Sequence, residues 1–199
     1  MSRVGIFGGT FSPPHNGHVG AARCFLKERN LDELHVLPAF LPPHKTADSG
    51  ATVIDRLEMC RLAFGDLEGT RVLDTEIRRG GKSYTVITLR EYAKKGIRPE
   101  LLVGTDMLLS FDTWYEYREI FSLATVVCMR REQNAETGAA LSQKAEKFRE
   151  QGANIVFLSG DVIDISSEQI RENAKKGVLS DLLPPAVADY ICQKRLYGC

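Results

Sequence analysis

The chain has 199 residues, of which 43% are hydrophobic and 26% charged; it is long enough to bury a substantial core and reads as one domain over residues 1–199. Its 26 Lys+Arg balance 26 Asp+Glu, so no global field draws in nucleic acid or membrane, and any anion must be held by a local arrangement. No apolar run approaches bilayer length, the first strand starts too early for a signal peptide, and five scattered cysteines (Cys24, Cys60, Cys128, Cys192, Cys199) without a C-x-x-C pair argue against structural zinc or a disulfide framework and for a reducing cytoplasm.

A first apolar strand is expected over Arg3–Phe7. It is followed by Gly8-Gly9-Thr10-Phe11-Ser12-Pro13-Pro14-His15-Asn16-Gly17-His18 and then by a helix over Gly17–Arg29. A strand, a glycine-bearing turn and a helix N-terminus make a site for phosphate, because unpaired N–H groups and the positive end of the helix dipole point outward there. Gly8 and Gly9 lack a Cβ and let the backbone approach a ligand closely. His15 and His18 are three apart and share a face at the helix mouth if the helix begins near Asn16. A glycine pair after a strand is often only a tight turn, and a surface histidine usually does nothing. Three glycines, two prolines and two histidines packed into Gly8–His18 favour a site for a reacting polyphosphate. The spacing is not the G-x-G-x-x-G dinucleotide fingerprint.

Further strands are expected at Glu33–Leu37, Arg71–Thr75, Leu101–Val103, Thr125–Met129 and Asn154–Phe157. They alternate with helices at Ile54–Phe64, Val86–Lys95, Tyr117–Phe121, Gly138–Gln151, Ser167–Lys175 and Pro185–Leu196. This alternation predicts an α/β, Rossmann-like domain with a mainly parallel sheet covered by helices on both faces. Ligands of such sheets lie beyond the carboxyl ends of the strands, at a topological switch point. Gly8–His18 and Gly104–Asp106 both follow strand ends and are predicted to meet at one crevice.

The longest loop, Ala39–Ser49, holds Lys45 after Pro42-Pro43-His44, as a surface cation or as a phosphate clamp. Gly81-Lys82-Ser83 imitates the end of a P-loop, but Glu76 stands where its first glycine belongs, and the segment reads as a turn. Asp106 suits a helix N-cap. Trp114 is the only tryptophan, and its polar neighbours suggest an edge position from which the indole stacks on a base. Ser166 and Gln169 make a capping-box pattern. Arg171, placed in the first turns of that helix, opposes the dipole unless it binds phosphate in a bidentate fork.

The segment Gly8–His18, with His15-Asn16-Gly17-His18 as an H-x-G-H signature, resembles the nucleotidylyltransferase superfamily. More narrowly it is similar to the bacterial nicotinate mononucleotide adenylyltransferases. Pro42-Pro43-His44-Lys45, Arg56-Leu57-Glu58-Met59, Ser83-Tyr84-Thr85, Val103-Gly104-Thr105-Asp106, Trp114-Tyr115 and Ile165-Ser166-Ser167 through Ile170-Arg171 occur in that family's order. The closing Val187-Ala188-Asp189-Tyr190-Ile191 with Leu196-Tyr197 fits its last helix, so the resemblance covers essentially the whole chain.

The resemblance implies transfer of an adenylyl group from ATP to nicotinate mononucleotide, giving deamido-NAD and pyrophosphate in NAD biosynthesis. His15, His18 and Arg171 would act on the ATP phosphates. Gly8, Gly9, Thr10, Phe11, Gly104, Asp106 (near the ribose), Ile165, Ser166 and Ser167 would complete the ATP site. Thr10, Lys45, Tyr84, Thr85, Trp114 and Tyr115 would receive the mononucleotide. Trp114 would stack on the nicotinate ring, and backbone N–H groups near Thr85 and Tyr115 would hold the ring carboxylate. Mg²⁺ would be carried mainly by the ATP phosphates rather than by a protein cage. Two positions depart from the common family form: Ser12 stands for an aspartate and Glu168 for a threonine. A related transferase such as phosphopantetheine adenylyltransferase, and a nucleotide sensor without chemistry, are the competing readings. The oligomeric state is not set by the sequence, and a homo-oligomer stays open.

Overall fold

The computed structural model describes residues 2–43, 50–130, 135–160, 165–179 and 181–199. Six strands, β1 (Val4–Gly9), β2 (Glu33–Pro38), β3 (Thr70–Val72), β4 (Glu100–Gly104), β5 (Thr125–Met129) and β6 (Ile155–Leu158), form one sheet in the order β3-β2-β1-β4-β5-β6. Every pairing between them is parallel. Side chains alternate across the strands, so Ile6, Leu101, Val103, Val126 and Cys128 enter one apolar cluster while Phe7, Leu102, Val127 and Met129 enter another. Burial on both faces explains why these strands read as continuous apolar runs.

Helices α1 (Asn16–Arg29) and α2 (Val53–Phe64) cover one face. The other is covered by α4 (Thr85–Ala93), α5 (Thr105–Leu109), α6 (Tyr117–Leu123) and α7 (Ala135–Glu150), with α3 (Thr75–Arg79) packing beside β2. A third cluster joins Met59 of α2 to α8 (Ser167–Ala174), α9 (Pro185–Lys194) and the 3₁₀ turn Leu196–Gly198. Among the described residues no helix is long and apolar enough to cross a membrane.

The expected elements all exist, with three informative differences. The strand expected over Arg71–Thr75 ends at Val72. As an edge strand it pairs only with β2, and Asp74 then opens the short α3, which buries Glu76. The helix expected to run to Leu196 stops at Lys194, because Arg195 turns left-handed at φ 51°. That reversal folds Leu196 and Tyr197 inward, where both are buried. Finally, α5 lies where no helix was expected, directly after β4.

The sheet also shows where a ligand fits. β1 pairs with β2 from Val4–Glu33 through Gly9–Pro38, but with β4 only at Gly5–Glu100 and Ile6–Leu101. Both strands run on, to Gly9 and Gly104, past the last pairing between them. The strand order reverses between β1 and β4, so this opening is the switch-point crevice of a doubly wound sheet.

Candidate functional site

Gly8 and Gly9 are the last residues of β1 rather than part of a turn. A Cβ on Gly8 or on Gly104, across the crevice, would meet nothing within 4 Å, so both strand ends border open space. Gly9 differs: its Cβ would lie 3.0 Å from the ring of Phe11, so its smallness serves internal packing. The Phe11 ring is 2% exposed and sits edge-on to Phe7 and Phe64. Only the main chain of Phe11 is therefore available to a ligand, at a left-handed φ of 49°.

The helix after this turn starts at Asn16, with His15 as its N-cap. The two histidines cap each other. Nδ1 of His15 accepts from the His18 backbone N–H at 3.3 Å, and Nδ1 of His18 accepts from the His15 backbone N–H at 3.3 Å. Their rings stack with centroids 3.7 Å apart, and His18 leans on Phe11 and Phe7. An imidazole whose Nδ1 accepts carries its proton, when neutral, on Nε2. The cap therefore assigns both rings the tautomer that can donate from Nε2. It performs the role of a Ser–Glu capping box with unusual residues.

The N-terminal end of α8 docks onto the same turn. Ser167 Oγ donates to the Pro13 carbonyl at 3.0 Å, and Arg171, one turn later on the same face, donates from Nη1 to the Ser12 carbonyl at 2.8 Å. Ser166 is the N-cap, but its hydroxyl accepts from the Glu168 N–H and no bond to Gln169 completes a capping box. Arg171 lies in the last turn of this eight-residue helix, where a cation suits the dipole. The supposed conflict with the dipole is thus absent, and the placing of Arg171 rests on its contact with Ser12. Ile165 is 1% exposed and belongs to the core beneath.

Ser12, 3% exposed, shares a 3.1 Å hydrogen bond with the hydroxyl of Tyr197. Burial pushes the Tyr197 hydroxyl up to about 12, so it stays protonated. The approach of β6 to α8 is tethered by Glu28 of α1. Its carboxylate accepts from the N–H groups of Ser159 at 2.9 Å and Gly160 at 2.8 Å, and from the Cys24 thiol at 3.0 Å. The thiol bond and those backbone bonds hold the Glu28 carboxyl below its usual range, whereas burial and the neighbouring carboxylate push Cys24 up to about 11.

Asp106 is not an N-cap. Gly104 caps α5, and Asp106 is exposed in the first turn, its carbonyl accepting from Ser110 Oγ at 2.8 Å. Trp114 is half-buried and stacks on buried Phe111 at 4.6 Å, at the border of the main core. Tyr115 is 48% exposed and pairs with the ring of Tyr84 at 4.6 Å, so the loop after α5 meets the start of α4. Tyr84 and Ser83 make no side-chain cap there, and the first N–H groups of α4 keep no helical partner. Gly81-Lys82-Ser83 links α3 to α4 rather than following a strand; Gly81 bends the chain and Lys82 is bridged to Leu41. Lys45 lies outside the described residues.

Sequence reasoning gave no role to Arg56, which is 4% exposed. It donates from Nη1 to the Thr10 carbonyl at 2.7 Å, and from Nη2 to the carbonyls of Ala39 at 2.6 Å and Phe40 at 3.1 Å. Burial lowers its pKa from the ordinary arginine value. The available signal was its spacing. Arg56, Cys60 and Phe64 fall four apart on one helix face, and all three are buried.

A doubly wound sheet with a histidine-capped helix at its switch point defines a nucleotide-binding transferase class, and the comparisons agree. Residues 6–173 match the model of the cytidylyltransferase-like family, and the chain belongs to that family. Among its relatives, "Probable nicotinate-nucleotide adenylyltransferase" of Synechococcus sp. (strain JA-3-3Ab) is 37% identical over 200 residues, covering 98% of this chain and 94% of the relative. The protein of the same name from Thermotoga maritima is 37% identical over 177 residues, covering 88% of this chain and 83% of the relative. Solved structures with this fold include the Plasmodium falciparum nicotinic acid mononucleotide adenylyltransferase complexed with APC. It has a TM-score of 0.76 at 15% identity, covering 99% of this chain and 98% of that one. The same protein complexed with NaAD has a TM-score of 0.74 at 14% identity over the same shares.

Proposed function

We propose that this chain joins ATP to nicotinate mononucleotide, forming deamido-NAD and releasing pyrophosphate. The observation that carries the reading is the mutual histidine cap beside the β1–β4 crevice, with Arg171 seated on the same turn. The relatives named as nicotinate-nucleotide adenylyltransferases support the choice of substrates.

In the reaction, an oxygen of the mononucleotide 5′-phosphate attacks the α-phosphorus of ATP in line. The new P–O bond forms as the bond to the β-phosphate bridging oxygen breaks, and pyrophosphate leaves with that electron pair. The attacking phosphate is already ionised at neutral pH, so no general base is required. The protein's part is positioning and charge stabilisation. His15 and His18 donate Nε2–H bonds to ATP phosphates, and Arg171 uses guanidinium N–H groups other than the one on Ser12 to neutralise charge growing on the leaving group. Gly8 and Gly104 leave room for the nucleotide, and Asp106 faces its ribose. The N–H groups at the start of α4 receive the ring carboxylate while Trp114 supports the ring. Thr10 and Lys45 complete the mononucleotide side.

Among the described residues no three His, Cys, Asp or Glu side chains converge on a metal position. Mg²⁺ would come in on ATP, held by its phosphate oxygens and water, where it would neutralise phosphate charge. One domain carries all of these groups, and a cytoplasmic setting suits five free cysteines.

The test is pyrophosphate release from purified protein with ATP and, separately, nicotinate mononucleotide, nicotinamide mononucleotide or 4′-phosphopantetheine. Fastest turnover with nicotinate mononucleotide is expected. Turnover confined to phosphopantetheine, or none with any acceptor, overturns the assignment.

A further inference from the structure

We propose that Arg56 and Ser83 are positioning residues that together fix the span between the phosphate turn and the ring end of the mononucleotide site. The inference rests on the adenylyl-transfer reading only for its kinetic consequence; the span itself is a matter of bonds within the chain.

The connection runs through one peptide group. Its carbonyl, that of Ala39, accepts from Arg56 at 2.6 Å, and its N–H, that of Phe40, donates to Ser83 Oγ at 2.9 Å. Arg56 reaches from there to Thr10 in the phosphate turn. Ser83 immediately precedes Tyr84, the N-cap of α4, and its own N–H donates to the Leu41 carbonyl at 2.9 Å. Buried Glu76 accepts from Thr88 Oγ at 2.6 Å, and the Ser83 hydroxyl counters the rise that burial gives its pKa. Thr10 and the start of α4 are therefore joined through Arg56, the Phe40 peptide and Ser83, with each linking polar group at or below 8% exposure apart from the Phe40 and Thr10 main chains.

The choice of residue types supports a positioning role. Among the described residues Arg56 makes no ion pair; the three partners of its guanidinium are neutral carbonyls. A buried cation satisfied only by carbonyls is a costly way to hold two loops together. Its benefit is geometric, because the planar fork addresses carbonyls on both sides of a gap at fixed angles. A mononucleotide bridging that gap must place its phosphate at the turn and its ring carboxylate at α4 at once. A change of about 1 Å in the span therefore costs in-line alignment. ATP, held by the turn and by α8, does not cross the span.

The experiment combines kinetics with hydrogen exchange on Arg56→Lys, Ser83→Ala, the double variant and Ser83→Thr. Arg56→Lys and Ser83→Ala should each raise KM for nicotinate mononucleotide roughly tenfold, with KM for ATP within about threefold of wild type. The double variant should be little worse than the poorer single, because both substitutions release the same peptide. Ser83→Thr, which keeps the hydroxyl, should recover most of the Ser83→Ala loss. Additive effects, or equal increases in both KM values, overturn the proposal. Exchange reads the span whether or not the enzyme turns over these substrates. Arg56→Lys should speed exchange at the amides of Phe40, Ser83, Tyr84 and Ile87, and Ser83→Ala, the milder change, should do so at Phe40. Unchanged protection at Ser83, Tyr84 and Ile87 in Arg56→Lys overturns the span, whereas a wild-type protein inactive with both nucleotides overturns only the functional reading.

Discussion

Arg171 and Ser12 lie 159 residues apart in the chain and are joined by a 2.8 Å hydrogen bond from guanidinium to carbonyl. With Ser167 on Pro13, this bond fastens α8 to the turn between β1 and α1, so the arginine is held in place before any nucleotide arrives. A lysine can keep the charge, but it cannot bond Ser12 and fork onto phosphate oxygens together. Arg171→Lys is expected to raise KM for ATP and lower kcat, with kcat/KM falling about tenfold or more. Steady-state kinetics with ATP varied checks this; full activity in the lysine variant would place Arg171 outside the phosphate site.

His15 combines two tasks that substitution can separate. As an N-cap it satisfies the His18 N–H, and its Nε2 is the proposed phosphate donor. Asparagine is among the best N-cap residues, so His15→Asn should fold with a melting temperature close to wild type. It should nonetheless lose about 10²–10³ in kcat, the usual effect of removing one preorganised donor. His18→Ala should lose a similar factor while binding nicotinate mononucleotide within about threefold of wild type. A His15→Asn variant with near wild-type turnover would reduce His15 to a structural cap.

Much of this arrangement was readable in the sequence, and the misses share a physical cause. β5 matches its expected bounds, Thr125–Met129, because a central parallel strand is apolar on both faces and sharply bounded. α1, expected over Gly17–Arg29, begins one residue earlier, at Asn16, and ends where expected. By contrast α3 and α5 are five residues each, too short for a helical period to register. The position of Arg171 within α8 depends on where an eight-residue helix ends, and tertiary docking onto Ser12 and Pro13 decides that. Nor could local pattern show that Tyr197 reaches Ser12. It depends on one left-handed residue, Arg195, ending α9 early. The role of Arg56 involves carbonyls from two distant loops, which no spacing rule connects.

Tyr197→Phe isolates the link between the C-terminal turn and Ser12. The ring remains and one buried hydroxyl is lost, leaving Ser12 Oγ without that partner. A buried hydrogen bond contributes about 1 kcal/mol, equivalent to a melting shift of roughly 2–4 °C at this chain length. Calorimetry should show that drop while KM for both nucleotides stays within about twofold, since the hydroxyl braces the turn from behind. A kcat loss comparable to that of His18→Ala would instead give Tyr197 a direct part in the chemistry.

The same C-terminal brace carries a pH signature. Asp55 of α2 accepts from Thr52 N–H at 2.9 Å, Thr52 Oγ1 at 2.6 Å and the Tyr190 hydroxyl at 3.0 Å, which ties α2 to α9. Burial alone would raise its pKa, but the bonds from Thr52 and Tyr190 outweigh it and leave the carboxyl below its usual range. A depressed folded-state pKa contributes stability that is present above the unfolded value of about 3.9 and is lost as pH falls through the folded value. Asp55→Asn should therefore melt below wild type at pH 7, and the gap should close as the pH falls below about 4. An equal gap at pH 7 and pH 3 would show that the carboxylate's charge contributes nothing.

Substrate choice is the last expectation, and it depends on main-chain donors. The first N–H groups of α4 have no side-chain cap, and the Tyr84–Tyr115 pair brings the loop carrying Trp114 against that helix start. Donors without partners suit an anionic carboxylate, because hydrogen bonds to an ionised acceptor are stronger than neutral ones. An amide would turn its NH₂ towards those N–H groups and leave donors facing donors. Each unpaired buried polar group costs roughly 1–3 kcal/mol, so nicotinate mononucleotide should exceed nicotinamide mononucleotide in kcat/KM by about tenfold or more. Trp114→Ala should lower both values by a similar factor, since stacking on a pyridine ring does not distinguish acid from amide. Equal kcat/KM for the two mononucleotides in the wild type would remove the carboxylate pocket from α4 and leave adenylyl transfer itself standing. A Trp114→Ala loss confined to the acid substrate would instead assign the discrimination to the indole.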